Sequence, residues 1–143
     1  MERPELVIFV GLPGSGKSTY YFAHFATSHV HVSKDLMPNA RGRDDRQSLQ
    51  VEKALADGRS VVVDNTNPTR DSRTALIAAG KRHGARIIAY YFECSVRLAI
   101  VRNAQREGKG RVPNVAIFTT QKKLQLPTAD EGFDEVHVIH ADA

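Results

Sequence analysis

Cysteine is nearly missing from this sequence. Cys94 stands alone among 143 residues, so no internal disulfide can form and nothing in the cysteine usage points to secretion. No apolar run approaches the roughly 20 residues that a membrane-spanning helix needs. The opening residues Met1-Glu2-Arg3-Pro4 lead straight into an apolar stretch without the pattern of a signal peptide, and a cytoplasmic protein is the expectation. Internal repeats, low-complexity tracts and interdomain linkers are absent as well, which leaves one domain over residues 1–143. Aromatic residues make up only 7% of the chain, and no platform for stacking unpaired bases stands out among them.

What is present is ordinary in bulk and specific in one place. Apolar residues make up 41% and charged residues 25%, enough for a packed core with a solvated surface. A net charge of +4 suits an anionic substrate without by itself implying nucleic acid. The specific place is Gly11-Leu12-Pro13-Gly14-Ser15-Gly16-Lys17-Ser18-Thr19, which follows the apolar run Leu6-Val7-Ile8-Phe9-Val10. Its spacing, G-x-x-x-x-G-K-S, is that of a phosphate-binding loop. Gly11, Gly14 and Gly16 permit backbone angles and close approaches that a Cβ would block, so that the N–H groups of Pro13 to Thr19 other than the proline's can form a nest for phosphate oxygens. A helix starting near Lys17 adds its positive end. Lys17 supplies a mobile charge for the β- and γ-phosphates, and Ser18 offers a hydroxyl to Mg²⁺. The ligands expected at this loop are therefore ATP and Mg²⁺.

The rest of the chain reads as strands alternating with helices. Glu5 to Val10 is a continuous apolar run, as expected of a parallel strand buried on both faces. A helix from about Lys17 to Thr27 carries Tyr20, Tyr21, Phe22 and Phe25 for packing on the sheet. His29 to Ser33 alternates as a second strand, with His29 and His31 on one face as solvated side chains rather than metal ligands. Asp35 falls just past that strand's C-terminal end, the side on which open α/β sheets bind ligands, where it can face the phosphates or else cap the next helix. Residues 37–45 form a polar loop, and Arg41, Arg43 and Arg46 cluster there. A helix follows to about Asp57, with Leu49, Lys53 and Ala56 on one stripe and Val51 and Leu55 on another. Gly58 then serves as its C-cap. Ser60 to Asp64 is a third strand ending in a carboxylate that can hold a Mg²⁺-bound water or a substrate group. Helices over about 70–83, 96–106 and 114–124, and strands over 85–92 and 136–139, complete the order. Arg102 and Arg106, four apart, share a helix face, and the basic, glycine-containing hinge Glu107 to Pro113 marks a lid over roughly residues 102–115. The pattern implies an α/β fold: a doubly wound parallel sheet of about five strands, with helices on both faces and right-handed crossovers.

These motifs together resemble the kinase domain of polynucleotide kinase, within the wider group of phosphate-loop kinases, over nearly the whole chain. The loop itself is shared by many families. Asp64-Asn65-Thr66-Asn67-Pro68 with Arg73 downstream, the stretch Arg46-Gln47-Ser48, and Pro127-Thr128-x-x-Glu131-Gly132-Phe133 carry the resemblance more specifically. It implies that Lys17 and Ser18 meet the ATP phosphates and Mg²⁺, with Asp64 or Asp35 reaching the metal through water. It implies that Asp35 is the general base for the acceptor hydroxyl, and that Arg102 and Arg106 reach the transferring phosphate. It also implies an acceptor-binding set of Asp35, Arg46, Asp64, Asn65 and Arg73, with Arg41 and Arg43 as rivals for the Arg46 role. The expected function is ATP-dependent phosphoryl transfer to the 5′-hydroxyl of a polynucleotide. A kinase for a nucleoside, sugar or other small hydroxylated metabolite is one alternative. An ATP-binding switch or ATPase that transfers nothing to an acceptor is another.

Overall fold

In the computed structural model, the described residues are 3–37, 41–108 and 111–140. Five strands form one parallel sheet in the order β2-β3-β1-β4-β5. They are β1 (Glu5–Gly11), β2 (Val30–Val32), β3 (Val61–Val63), β4 (Arg86–Glu93) and β5 (Glu135–His140). The helices between them are α1 (Lys17–His24), α2 (Arg43–Ala56), α3 (Arg70–Arg82), α4 (Val96–Ala104) and α5 (Asn114–Lys123), with short 3₁₀ turns at Lys34–Leu36 and Ala129–Glu131. This is the expected doubly wound arrangement. No helix among the described residues is long and apolar enough to cross a membrane.

The central strand explains the order. Leu6 through Val10 have no exposed surface, because β1 pairs with β3 on one side and β4 on the other while helices cover both of its faces. Leu6, Ile8 and Val10 pack with Val51 and Leu55 of α2 and Leu76 and Ile77 of α3. Val7 and Phe9 pack on the opposite face with Tyr21 and Phe25, under α1. A third cluster, Leu12, Ala99 and Ile117, joins the phosphate loop to α4 and α5.

Several local expectations shift. The first helix ends at His24 rather than Thr27, and Phe22 on its outer side is 65% exposed instead of packing on the sheet. The buried stripe of α2 is Gln47, Val51, Ala54 and Leu55, while Leu49 faces out. α4 stops at Ala104, so Arg106 lies just past the helix rather than on its face. His29 and His31 are not solvated: His29 Nε2 donates to Glu5 at 2.8 Å, and His31 Nε2 donates to Asp64 at 2.8 Å while its ring stacks on Tyr21. Pro38 and Asn39 of the polar loop, and Lys109 and Gly110 of the basic hinge, lie outside the described residues.

Candidate functional site

A cleft of about 1200 Å³ opens along the C-terminal ends of the strands, with the phosphate loop as its floor. The loop's shape depends on two glycines. Gly14 (φ 80°) is so close to α4 that a Cβ there would meet the Ala99 carbonyl oxygen at 2.5 Å. Gly16 (φ 95°) would place a Cβ 2.7 Å from Arg102 Nη1. The left-handed conformation and the close approach both call for glycine.

Lys17, the mobile charge of the loop, is buried against the loop itself. Its Nζ donates to the carbonyls of Gly11 (3.1 Å) and Leu12 (2.7 Å) and to Ser15 Oγ (3.4 Å). Burial lowers its pKa from 10.5 to about 8. The Asp64 carboxylate opposes that shift, and the nearby Arg106 adds to it. The ammonium is thus held on loop carbonyls within reach of the space the loop encloses. Ser18 Oγ donates to Asp64 Oδ2 at 2.8 Å, and His31 donates to the same oxygen. Two hard oxygen donors, the Ser18 hydroxyl and the Asp64 carboxylate, therefore stand together at the loop's edge. Mg²⁺ commonly uses one or two protein oxygens together with phosphate oxygens, so this pair fits the ion.

Arg102 and Arg106 both line the cleft on the α4 side. Arg102 Nη1 donates to the Ser15 carbonyl at 3.2 Å, so its guanidinium lies directly over the loop. The segment after α4 is fastened by Asn103, a buried side chain bonded twice to the Val112 backbone. Asp35 sits on the opposite wall, in the turn after β2, with an exposed side chain. The capping role belongs to Ser33, whose Oγ accepts from the Asp35 N–H at 3.3 Å.

Two acceptor-side expectations need correction. Arg73 has no exposed surface and cannot touch an acceptor. Its Nε and Nη2 donate to Glu131 at 2.8 and 3.1 Å, Nη1 donates to the Asn67 carbonyl at 2.8 Å, and Nη2 also donates to the Gln125 carbonyl at 3.1 Å. Its partners are internal carbonyls and a buried carboxylate, so it is a structural bolt between α3 and the segment before β5. Arg46 is not on the cleft wall either; its Nη2 donates to the Arg41 carbonyl at 2.9 Å. The arginine of the cluster that lines the cleft is Arg43, in the first turn of α2.

The segment Asp64 to Pro68 acts mainly as wiring. Asp64 takes Ser18 and His31; Asn65 Oδ1 accepts the Lys34 N–H at 3.0 Å; and the Thr66 carbonyl accepts the Gly11 N–H at 3.1 Å. Asn67, in the left-handed region at φ 41°, donates from Nδ2 to the Phe9 carbonyl at 2.8 Å, and the Pro68 carbonyl accepts the Gln125 N–H at 2.7 Å. One short run thus ties the phosphate loop, β1, the Asp35 turn and the segment before β5 together. The sequence offers no signal for Asn103, and it shows neither the His31 bond to Asp64 nor the burial of Gln47. In the Arg46-Gln47-Ser48 stretch, Gln47 rather than Arg46 is the residue that lines the cleft.

A family model described as an AAA domain matches residues 6–127. The bifunctional polynucleotide phosphatase/kinase of Schizosaccharomyces pombe is 30% identical over 142 residues, covering 96% of this chain and 34% of that protein. The structure of the Pnkp1/Rnl/Hen1 RNA repair complex contains a chain that is 28% identical with a TM-score of 0.72, covering 94% of this chain and 47% of that one. This chain therefore spans about a third of the first and about half of the second. A gluconokinase from Sinorhizobium meliloti, 19% identical with a TM-score of 0.70 over 99% of this chain and 86% of its own, shares the fold.

Proposed function

We propose that this chain, which belongs to the AAA domain family matched over residues 6–127, is an ATP-dependent kinase whose acceptor is the 5′-hydroxyl of a polynucleotide. The observation that carries the reading is the opposition across one cleft. Lys17, Arg102 and Arg106 gather at a phosphate loop, and the exposed carboxylate of Asp35 stands on the other wall. A nucleotide switch needs the first half of that arrangement and has no use for the second. The similarity to the fission-yeast phosphatase/kinase and to the RNA repair complex supports the polynucleotide acceptor.

In this reading Asp35 takes the proton of the acceptor hydroxyl as its oxygen attacks the γ-phosphorus. The bond between that phosphorus and the β–γ bridging oxygen breaks, and ADP leaves with the electron pair. Lys17 moves from the loop carbonyls onto the β- and γ-phosphate oxygens. Arg102 and Arg106 spread their charge over the equatorial oxygens of the moving group, where electrostatic stabilisation does most of the work in phosphoryl transfer. Ser18 and Asp64 would hold Mg²⁺, which supplies charge neutralisation on the phosphates when bound.

One observation favours a small neutral acceptor instead. The acceptor wall carries Asp35, Asp44 and Asp71 against Lys34 and Arg43, and Lys34 Nζ is itself paired with Asp44 at 2.5 Å. Incubation with γ-labelled ATP and a panel of 5′-hydroxyl oligonucleotides, nucleosides and sugars separates the readings. Label on the oligonucleotides alone is expected. Label on sugars or nucleosides with equal efficiency moves the assignment to a small-molecule kinase, and ADP release with no labelled acceptor moves it to an ATPase.

A further inference from the structure

His31 stands on the edge strand β2, away from the phosphate loop in sequence, yet it touches the carboxylate beside that loop. The sheet register puts it there. His31 pairs with Val62 on β3, and side chains two apart along a strand share a face. Asp64, two residues after Val62, extends the ladder by donating its N–H to the Val32 carbonyl at 2.8 Å. It therefore lies diagonally ahead of His31 on the same side of the sheet. The imidazole closes that gap, with Nε2 2.8 Å from Asp64 Oδ2. A carboxylate offers only acceptors, so Nε2 is a nitrogen that carries a proton.

The ring is seated as well as bonded. It stacks on Tyr21 of α1, with centroids 3.9 Å apart and planes 13° from parallel, and Phe22 meets it edge to face at 5.4 Å. Tyr21 is anchored in turn, because its hydroxyl donates to the His29 carbonyl at 2.6 Å. Tyr21 also lies three residues after Ser18 on α1, so one face of that helix carries both the loop's hydroxyl and the shelf under the imidazole.

Ser18 and His31 both donate to Oδ2 of Asp64. Among the described residues no hydrogen bond reaches Oδ1, and Asp64 lines the cleft. One carboxylate oxygen is thus held and the other is left over. Ser18 alone cannot guarantee that division, since its hydroxyl is itself a candidate ligand for the ion. His31 has no second duty of that kind and does not line the cleft. We infer that His31 is a positioning residue for the metal site: seated on Tyr21, it pins Asp64 Oδ2 and so keeps Oδ1 for the ion or its water. The inference rests on the reading of the loop as an ATP and Mg²⁺ site, and adds to it a residue that touches neither. A simple fastening of β2 to β3 would instead cost stability and make nucleotide binding with and without metal fall together.

The test uses two amides that differ by one methylene. Glutamine's amide nitrogen reaches as far from Cβ as the imidazole Nε2 does, whereas asparagine's stops at the place of Nδ1, short of Asp64. Wild type, His31→Gln, His31→Asn and His31→Phe are compared, the last keeping a ring on Tyr21 without a donor. Calorimetry in EDTA gives the Kd for ADP alone, and paramagnetic resonance counts free Mn²⁺ above each ADP-bound chain. His31→Asn and His31→Phe are expected to weaken Mn²⁺ binding about 10–100-fold, the usual scale for losing a group that orients a metal ligand. Their Kd for metal-free ADP should stay within about twofold of wild type, as for sites that share no partner. His31→Gln should bind Mn²⁺ far closer to wild type than His31→Asn does. If His31→Phe fails to fold, the comparison of the two amides decides alone. Equal Mn²⁺ affinities for His31→Gln and His31→Asn, equal losses with and without metal, or a wild-type chain that binds no Mn²⁺ with ADP would each overturn the inference. Wild-type Mn²⁺ and ADP binding without transfer to any acceptor overturns the kinase reading and leaves the role of His31 standing.

Discussion

Asn103 and Val112 hold each other twice, through Asn103 Nδ2 to the Val112 carbonyl at 2.6 Å and the Val112 N–H to Asn103 Oδ1 at 2.9 Å. Asn103 lies between Arg102 and Arg106, and the Arg106 N–H donates to the Asn103 carbonyl. The pair therefore fixes the start of the segment that presents both arginines. Asn103→Ala is expected to slow turnover by about tenfold and to cost about 1–3 kcal/mol of stability, since it leaves two backbone groups unsatisfied. Asn103→Asp keeps the acceptor and loses the donor, so its stability should fall between the two. Steady-state kinetics and urea denaturation check both; turnover in Asn103→Ala equal to wild type would show that the clamp does not position the arginines.

Lys17 carries the pH prediction. Its pKa in the folded chain is about 8, against 10.5 in the open chain. Below pH 8 it is charged in both states, and the cost of burying the charge is fully present. Between 8 and 10.5 the unfolded chain binds more protons, so stability rises with pH over that window. The rise should be absent from Lys17→Met, which keeps the stem and removes the charge. Nucleotide phosphates draw the proton back, so ATP binding near pH 9 should take up protons, seen as a binding enthalpy that depends on the buffer's ionisation heat. Lys17→Met should lose transfer while remaining folded.

Asp35→Asn is expected to lower kcat by about 10²–10⁴, the usual worth of a general base, with the ATP KM unchanged. Its melting temperature should match wild type, because Ser33 and not Asp35 caps the turn. A variant that melts earlier and turns over normally would move Asp35 from chemistry to structure.

Arg102→Ala and Arg106→Ala should each slow transfer steeply, toward the factor of about 10³–10⁵ that such arginines contribute to phosphoryl transfer. A surface charge with no part in the reaction is worth about 1 kcal/mol or less and would barely move the rate. Rapid-quench measurement of a single turnover reads the chemical step directly, and near-wild-type rates in either variant would exclude that arginine.

Much of the fold was legible because parallel strands buried on both faces read as unbroken apolar runs, as in Leu6 to Val10 and Val61 to Val63. The phosphate loop was legible because its spacing encodes its backbone. The acceptor side was harder. Arg73 carries the charge of a binding residue, and only the position of Glu131, brought back by the chain's last crossover, shows that its charge is spent internally. Arg43 and Arg46 are indistinguishable in composition; they differ in that Arg43 lines the cleft while Arg46 donates back to the Arg41 carbonyl. His31 looked solvated because its partner, Asp64, lies on another strand's end.

The Arg73–Glu131 bolt also has a bearing on synthesis. The two residues are 58 positions apart, and Arg73 leaves the ribosome first. At translation rates of about 5–20 residues per second, its guanidinium waits roughly 3–12 s for its carboxylate. During that interval α3 cannot seat its Arg73 face without burying a lone charge, so docking of that helix is held back until the segment before β5 has emerged. A tight ion pair that stabilises the finished domain thus also sets the earliest moment at which the nascent domain can close.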